Sequence, residues 1–155
     1  MPSTSRLLAV FAIVGGLAVY ASLNSIAATG PDFIRVTDRQ FGYTRVDVGR
    51  RGLTPGDQEI IYDKLFNRKI TTKPIGTARF ICTFMTGRTR MCTATVALPK
   101  GELVASGTVR FRQFFDLAII GGTGLYNNAR GTLTIIRTTR SPRPIRELLY
   151  FRLAG

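Results

Sequence analysis

Any chemistry in this chain rests on a short inventory, because the sequence holds no histidine, no tryptophan and only two cysteines, Cys82 and Cys92. The missing imidazole removes Ser-His-Asp and Cys-His nucleophiles, histidine general bases and histidine-ligated zinc or iron. Two thiols cannot complete a four-thiolate centre, so neither a metal nor a cofactor is expected. Asp, Glu, Tyr, Arg, Lys and the backbone remain. The most suggestive stretch among them is "GDQEIIYDKLFN" (Gly56–Asn67). As a strand it puts Asp63 on one face with Ile61 and Leu65, while Ile60, Tyr62 and Lys64 point the other way. A carboxyl turned inward among apolar side chains has a raised pKa and suits acid/base work. The alternative is a strand that ends at Tyr62, with Asp63 opening a loop.

A second stretch, "GGTGLYNNARGTLTI" (Gly121–Ile135), follows the apolar run "FFDLAII" and invites comparison with a phosphate-binding loop. A dinucleotide site needs G-x-G-x-x-G between a strand and a helix. Here Asn127 occupies the third glycine position, and the β-branched "TLTIIRTT" that follows is a strand, so no helix N-terminus faces a phosphate. The nucleotide reading fails. The glycines instead suit a strand reversal that needs positive φ or close backbone approach. Arg130 within the stretch either binds an oxygen anion through its planar fork or braces carbonyls of the turn. Tyr62 and Tyr126 are candidate hydrogen-bond donors to a ligand. Phe84 and Phe111 are candidate apolar lining. Asp116 either faces a cavity or pairs with a neighbouring arginine on the surface.

These residues must be positioned by strands. From Phe33 onward the chain is a series of short β-branched and aromatic runs, at 33–38, 41–48, 57–66, 75–85, 91–98, 103–112, 115–121, 129–138 and 146–153, separated by turn signals such as "TPGD", "LPKGE" and "SPRP". The first two runs are alternatively one bent strand. About eight strands at this spacing specify an all-β sandwich or barrel. The clearest hairpin is "ARFICTFMTGRTRMCTATVALP", in which Gly87 lies midway between Cys82 and Cys92. Symmetry about that glycine puts the two thiols opposite each other, on the face that also carries Phe80, Phe84, Ala94, Val96 and Leu98. In an exported chain this pair reads as a disulfide, and in a cytosolic one as two buried thiols.

The N-terminus favours export. Arg6 precedes the uncharged apolar run Leu7–Leu23, and small residues at Ser25 and Ala27 then place a signal cleavage after Ala27. The alternative is an uncleaved membrane anchor at the short end of the spanning range. Residues 28–155 would then form a single domain, secreted or extracytoplasmic. The full chain carries 22 basic and 9 acidic side chains, a net charge of +13, and 18 of the bases are arginine. The bases are scattered, with the densest run at Arg137, Arg140, Arg143 and Arg146, and no RNA-binding or helix-turn-helix pattern accompanies them. With an export signal, nucleic acid is not expected as a partner. Contacts with anionic cell-envelope polymers are the expectation.

"GGTGLYNNARGTLTI" resembles the late hairpin of the dirigent and allene oxide cyclase-like barrel proteins, which carries a Gly-Gly-Thr-Gly turn followed by Ala-Arg-Gly. "GDQEIIYDKLFN" and "PIGTARFICTF" (Pro74–Phe84) resemble the family's early strands, and "ALPKGELVASGTV" its middle hairpin. The resemblance spans about Gly56 to Ile136. It implies an eight-stranded antiparallel β-barrel with an apolar cavity. The activity it implies is cofactor-free: a cyclase or isomerase, or dirigent-type steering of a reactive intermediate held in the barrel. By motif match, Asp63 stands at the aspartate of the family's D-x-L element and Arg130 at its Ala-Arg-Gly arginine. Leu125 departs from the Asp that dirigent proteins often carry after Gly-Thr-Gly, which removes a proton donor and argues against lignan-type coupling. The expected ligand is a small apolar molecule. Association through barrel faces is implied without a dimer or trimer being fixed. The compact size and absence of Asn-x-Ser/Thr sequons look bacterial rather than plant. The rival from another class is a non-catalytic basic envelope protein that binds polyanions.

Overall fold

In the computed structural model, residues 33–67, 73–110, 114–138 and 145–154 are described. The export-signal reading at residues 1–27 and the candidate Phe111 fall outside them. Eight strands run in sequence: β1 (Phe33–Val46), β2 (Gln58–Phe66), β3 (Gly76–Phe84), β4 (Thr89–Leu98), β5 (Gly101–Arg110), β6 (Phe114–Gly122), β7 (Arg130–Arg137) and β8 (Arg146–Ala154). Each pairs antiparallel with the next, and β8 returns to pair with β1, closing the barrel in simple up-and-down order. Closure leaves no sheet edge unpaired, which a chain of β-branched strands otherwise has to protect.

Alternation explains which residues fill the interior. Along β4, Arg90, Cys92, Ala94 and Val96 are buried while Met91, Thr93 and Thr95 are exposed. β2 does the same with Glu59, Asp63 and Leu65, and β8 with Leu149 and Phe151. The interior is apolar through most of its length, built from Leu65, Phe80, Val96, Leu103, Leu117, Leu133, Ile135, Leu149 and Phe151. The strand candidates 33–38 and 41–48 are one strand with a bulge between Gln40 and Gly42, which turns Phe41 outward and lets the strand change faces.

The β3–β4 register places Cys82 opposite Cys92, and the two form a disulfide. The glycine stretch is the β6–β7 reversal, with a single 3₁₀ turn over Gly124–Tyr126. Gly124 sits at φ +60°, and a Cβ there would collide with the Lys100 carbonyl oxygen. Only glycine fits that position. This turn tucks Tyr126 and Ala129 into the apolar core and closes one end of the barrel. At the opposite end, where β1, β3, β5 and β7 finish and β2, β4, β6 and β8 begin, the interior is polar.

Candidate functional site

At that polar end the barrel opens into a recess lined by Asp38, Gln40, Asp63, Arg90, Arg137 and Glu147, with Ile61, Phe80, Phe115, Ile145 and the Cys82–Cys92 bridge as its apolar parts. The space it leaves for water-sized bodies is about 30 Å³, and the empty space that continues through the mouth into open solvent is about 430 Å³. The narrow part has room for roughly two waters or a ligand head group. A larger body has to occupy the mouth.

Register assembles the polar wall. Asp38 on β1 is paired with Glu147 on β8, and Glu147 with Arg137 on β7, so the three form a row across neighbouring strands. One row along, Gln40 is paired with Asp63 on β2. Because Asp38 is opposite Leu65 and Asp63 lies two residues from Leu65, the two aspartates are diagonal neighbours on one face. Asp38 Oδ1 accepts the Glu147 backbone N–H at 2.7 Å, whereas its Oδ2 is buried without a hydrogen-bond partner among the described residues. Arg137 Nε donates to Glu147 Oε1 at 3.1 Å. Arg90, across the barrel, donates to Glu59 Oε2, and Tyr43 donates its hydroxyl proton to Glu59 Oε1 at 2.8 Å.

Both guanidiniums are thereby committed to a glutamate, while Asp38 and Asp63, 1% and 3% exposed, form no ion pair with an arginine among the described residues. Burial, with the neighbouring Glu147 adding to it, pushes the Asp63 carboxyl up to about 7. Burial and the nearby Asp63 and Glu147 charges also hold Asp38 well above the usual carboxylate range, outweighing the Glu147 N–H and Arg137. Two carboxyls this close in a dry wall cannot both ionise cheaply, so the pair keeps a proton near neutral pH. Such a pair can give a proton to, or take one from, a molecule in the recess.

Of the catalytic and ligand-binding candidates that fall among the described residues, Asp63 alone lines this recess, beside the Cys82–Cys92 bridge. Arg130 lies at the start of β7, by the closed end, where one nitrogen donates to the Ile120 and Ala129 carbonyls at 2.9 Å each. It braces the turn and shares no cavity with Asp63. Tyr126 is buried in the core of that same end, and burial raises its hydroxyl above the ordinary value. Tyr62 is on the outer wall, under Phe41 and the Arg79 guanidinium. Asp116 is exposed and accepts the Thr134 hydroxyl, and among the described residues no arginine pairs with it. Phe84 is fully buried, its backbone bonded both ways to the Gly56–Asp57 segment, and it does not line the recess.

Asp38, Gln40, Glu59, Arg90, Arg137 and Glu147 are the site residues that sequence reasoning did not find. The hairpin symmetry held the signal for Arg90, which has the parity of Cys92. The alternation Glu59, Ile61, Asp63, Leu65 held it for Glu59. For Asp38, Arg137 and Glu147 the signal is the cross-strand register, which alternation within one strand does not contain.

No protein-family model matches the chain, and no curated protein matches it in sequence. Solved structures do match it in fold. A structure titled pyocyanin demethylase is 26% identical with a TM-score of 0.65, and the match covers 79% of this chain and 99% of that one. The Diels Alderase AbmU from Streptomyces koyangensis is 16% identical with a TM-score of 0.63, covering 79% of this chain and 65% of that one. The pterocarpan synthase dirigent protein GePTS1 is 18% identical with a TM-score of 0.60, covering 78% and 84%. The barrel is thus of the kind found in dirigent proteins, as the glycine motif implied, and it is also the kind found in Diels-Alderases.

Proposed function

We propose that this chain binds a small, largely apolar molecule at the open end of the barrel and steers its cyclisation or coupling by proton transfer with the Asp38–Asp63 pair. One observation carries the reading: two buried carboxyls, ion-paired with no cation among the described residues, face an opening in an otherwise apolar barrel. A group that titrates near neutrality is matched to acid/base work at that pH. The apolar wall supplies the confinement that keeps a reactive intermediate from water. The names of two matching structures, a Diels Alderase and a pterocarpan synthase, fit chemistry of this class, whereas the demethylase names a different reaction. Export belongs to the same proposal, and a hairpin disulfide supports it because such bridges persist in oxidising compartments.

Adherence to anionic envelope polymers is the second reading, favoured by cations presented on the outer wall, where Arg35 lies over Tyr150 and Lys64 over Phe41. Mass spectrometry of small molecules retained by the purified protein separates the two. The first reading expects a retained species that Asp63→Asn and Asp38→Asn each lose. An unliganded wild type that matches both variants in every compound screen would overturn it.

A further inference from the structure

We propose that the molecule taken into the recess carries one positive charge, a protonated amine or amidinium-type head on an apolar body, with its N–H groups on Asp38 Oδ2 and the Asp63 carboxylate. This rests on the small-molecule reading and names the ligand class. The charged groups that line the recess with the pair are Arg90 from β4, Arg137 from β7 and Glu147 from β8, with Glu59 of β2 behind Arg90 as its ion-pair partner, while Phe80 and Cys82 of β3 and Phe115 of β6 present no charge. Arg90–Glu59 and Arg137–Glu147 close as two ion pairs, which leaves the aspartates as the uncompensated charge of the recess. An independent feature points the same way. Asp38 is 1% exposed, lines the recess and has a buried oxygen with no hydrogen-bond partner among the described residues.

A buried carboxylate oxygen in that condition wants a donor, and a charged donor is the strongest it can find. An anionic head would meet the carboxyls with both guanidiniums already engaged. A neutral hydroxyl or amide can donate to Oδ2, but it is the weaker donor and brings no charge to replace the proton the pair holds. A cation replaces that proton: the ammonium enters, the carboxyl proton leaves to solvent, and the charge of the recess is unchanged. The narrow part of about 30 Å³ accepts the head, and the mouth with Phe115, Ile61 and Ile145 accepts the body.

Three probes with the same ring test this: benzylammonium, benzyl alcohol and benzoate, titrated into the full protein while NMR follows the methyl groups of Ile61 and Ile145. At about pH 8, benzylammonium should saturate these shifts at least about tenfold more tightly than benzyl alcohol, with benzoate silent. Its affinity should fall about tenfold toward pH 5, and calorimetry in buffers of different ionisation enthalpy should register proton release. Asp38→Asn keeps an acceptor for the Glu147 N–H, so the barrel should fold; it should lose benzylammonium about tenfold and leave benzyl alcohol unchanged. Asp63→Asn should do the same. If benzyl alcohol or benzoate moves the methyl signals as tightly as benzylammonium, the cationic class is wrong and the recess reading stands. If none of the three moves them, both fall.

Discussion

Asp38 accepts the backbone N–H of Glu147 at 2.7 Å through one carboxylate oxygen and keeps the other buried and unpartnered at the recess. The single hydrogen bond fixes the carboxyl's orientation while the second oxygen stays available. It also ties β1 to β8, the pair of strands whose meeting closes the barrel, so the polar wall and the closure of the fold are one feature.

Stability should fall as pH rises from about 5 to about 8. Asp63, pushed up to about 7 by burial, binds a proton in the fold that the unfolded chain has already released above its ordinary value of 3.8. Between those values the native state holds more protons, so raising the pH destabilises it, and Asp38 acts in the same direction. Thermal melts across this range should show a declining midpoint. The slope should flatten in Asp63→Asn.

The acid side has the opposite sign and a different residue. Asp57 accepts the Thr54 and Val48 backbone N–H groups and a bond from Arg45, and these hold its carboxyl down to about 2. Its contribution is present above about pH 4 and is lost as pH falls toward 2. Asp57→Asn should weaken the fold at neutral pH and remove the acid-side decline. Melts that keep this decline would show that other carboxyls cause it.

Breaking the buried Arg90–Glu59 pair from one side should be costly. Arg90→Met leaves Glu59 buried without its cation, for an expected loss of about 3–5 kcal/mol. The double variant Arg90→Met/Glu59→Gln should recover much of that. Urea unfolding of the two single variants and the double measures the coupling.

The disulfide closes a short loop, since Cys82 and Cys92 are 10 residues apart. Replacing both by alanine should cost about 2–3 kcal/mol by the chain-entropy argument. Thiol labelling of unreduced, denatured protein should find no free cysteine.

Arg130→Ala should lower stability by about 1 kcal/mol through the two lost bonds to Ile120 and Ala129. It should leave any ligand affinity unchanged, because the residue is remote from the recess. A selective loss of binding would return it to the site.

The all-β class, the bend in β1, the hairpin symmetry and the inward Asp63 were legible in the sequence because each follows from period-two alternation or from one turn. The position of Arg130 was not. Its motif marks it, yet β7 carries it away from the end where the polar wall forms. Asp38 was hidden for a related reason: an isolated "VTDRQF" looks like a solvated strand until β8 brings Glu147 beside it. The site is made by closure, and closure is a relation between the first and last strands that no local window contains.

The central claim is that the recess keeps a carboxyl proton near neutral pH for a bound molecule to use. Carbon-detected NMR of the aspartate side-chain carboxyls, titrated with pH, tests it most directly. Asp63 should titrate near 7, and Asp38 should change well above the ordinary carboxylate value. If both titrate in the usual carboxylate range near 4, the wall holds no proton and the reading is overturned.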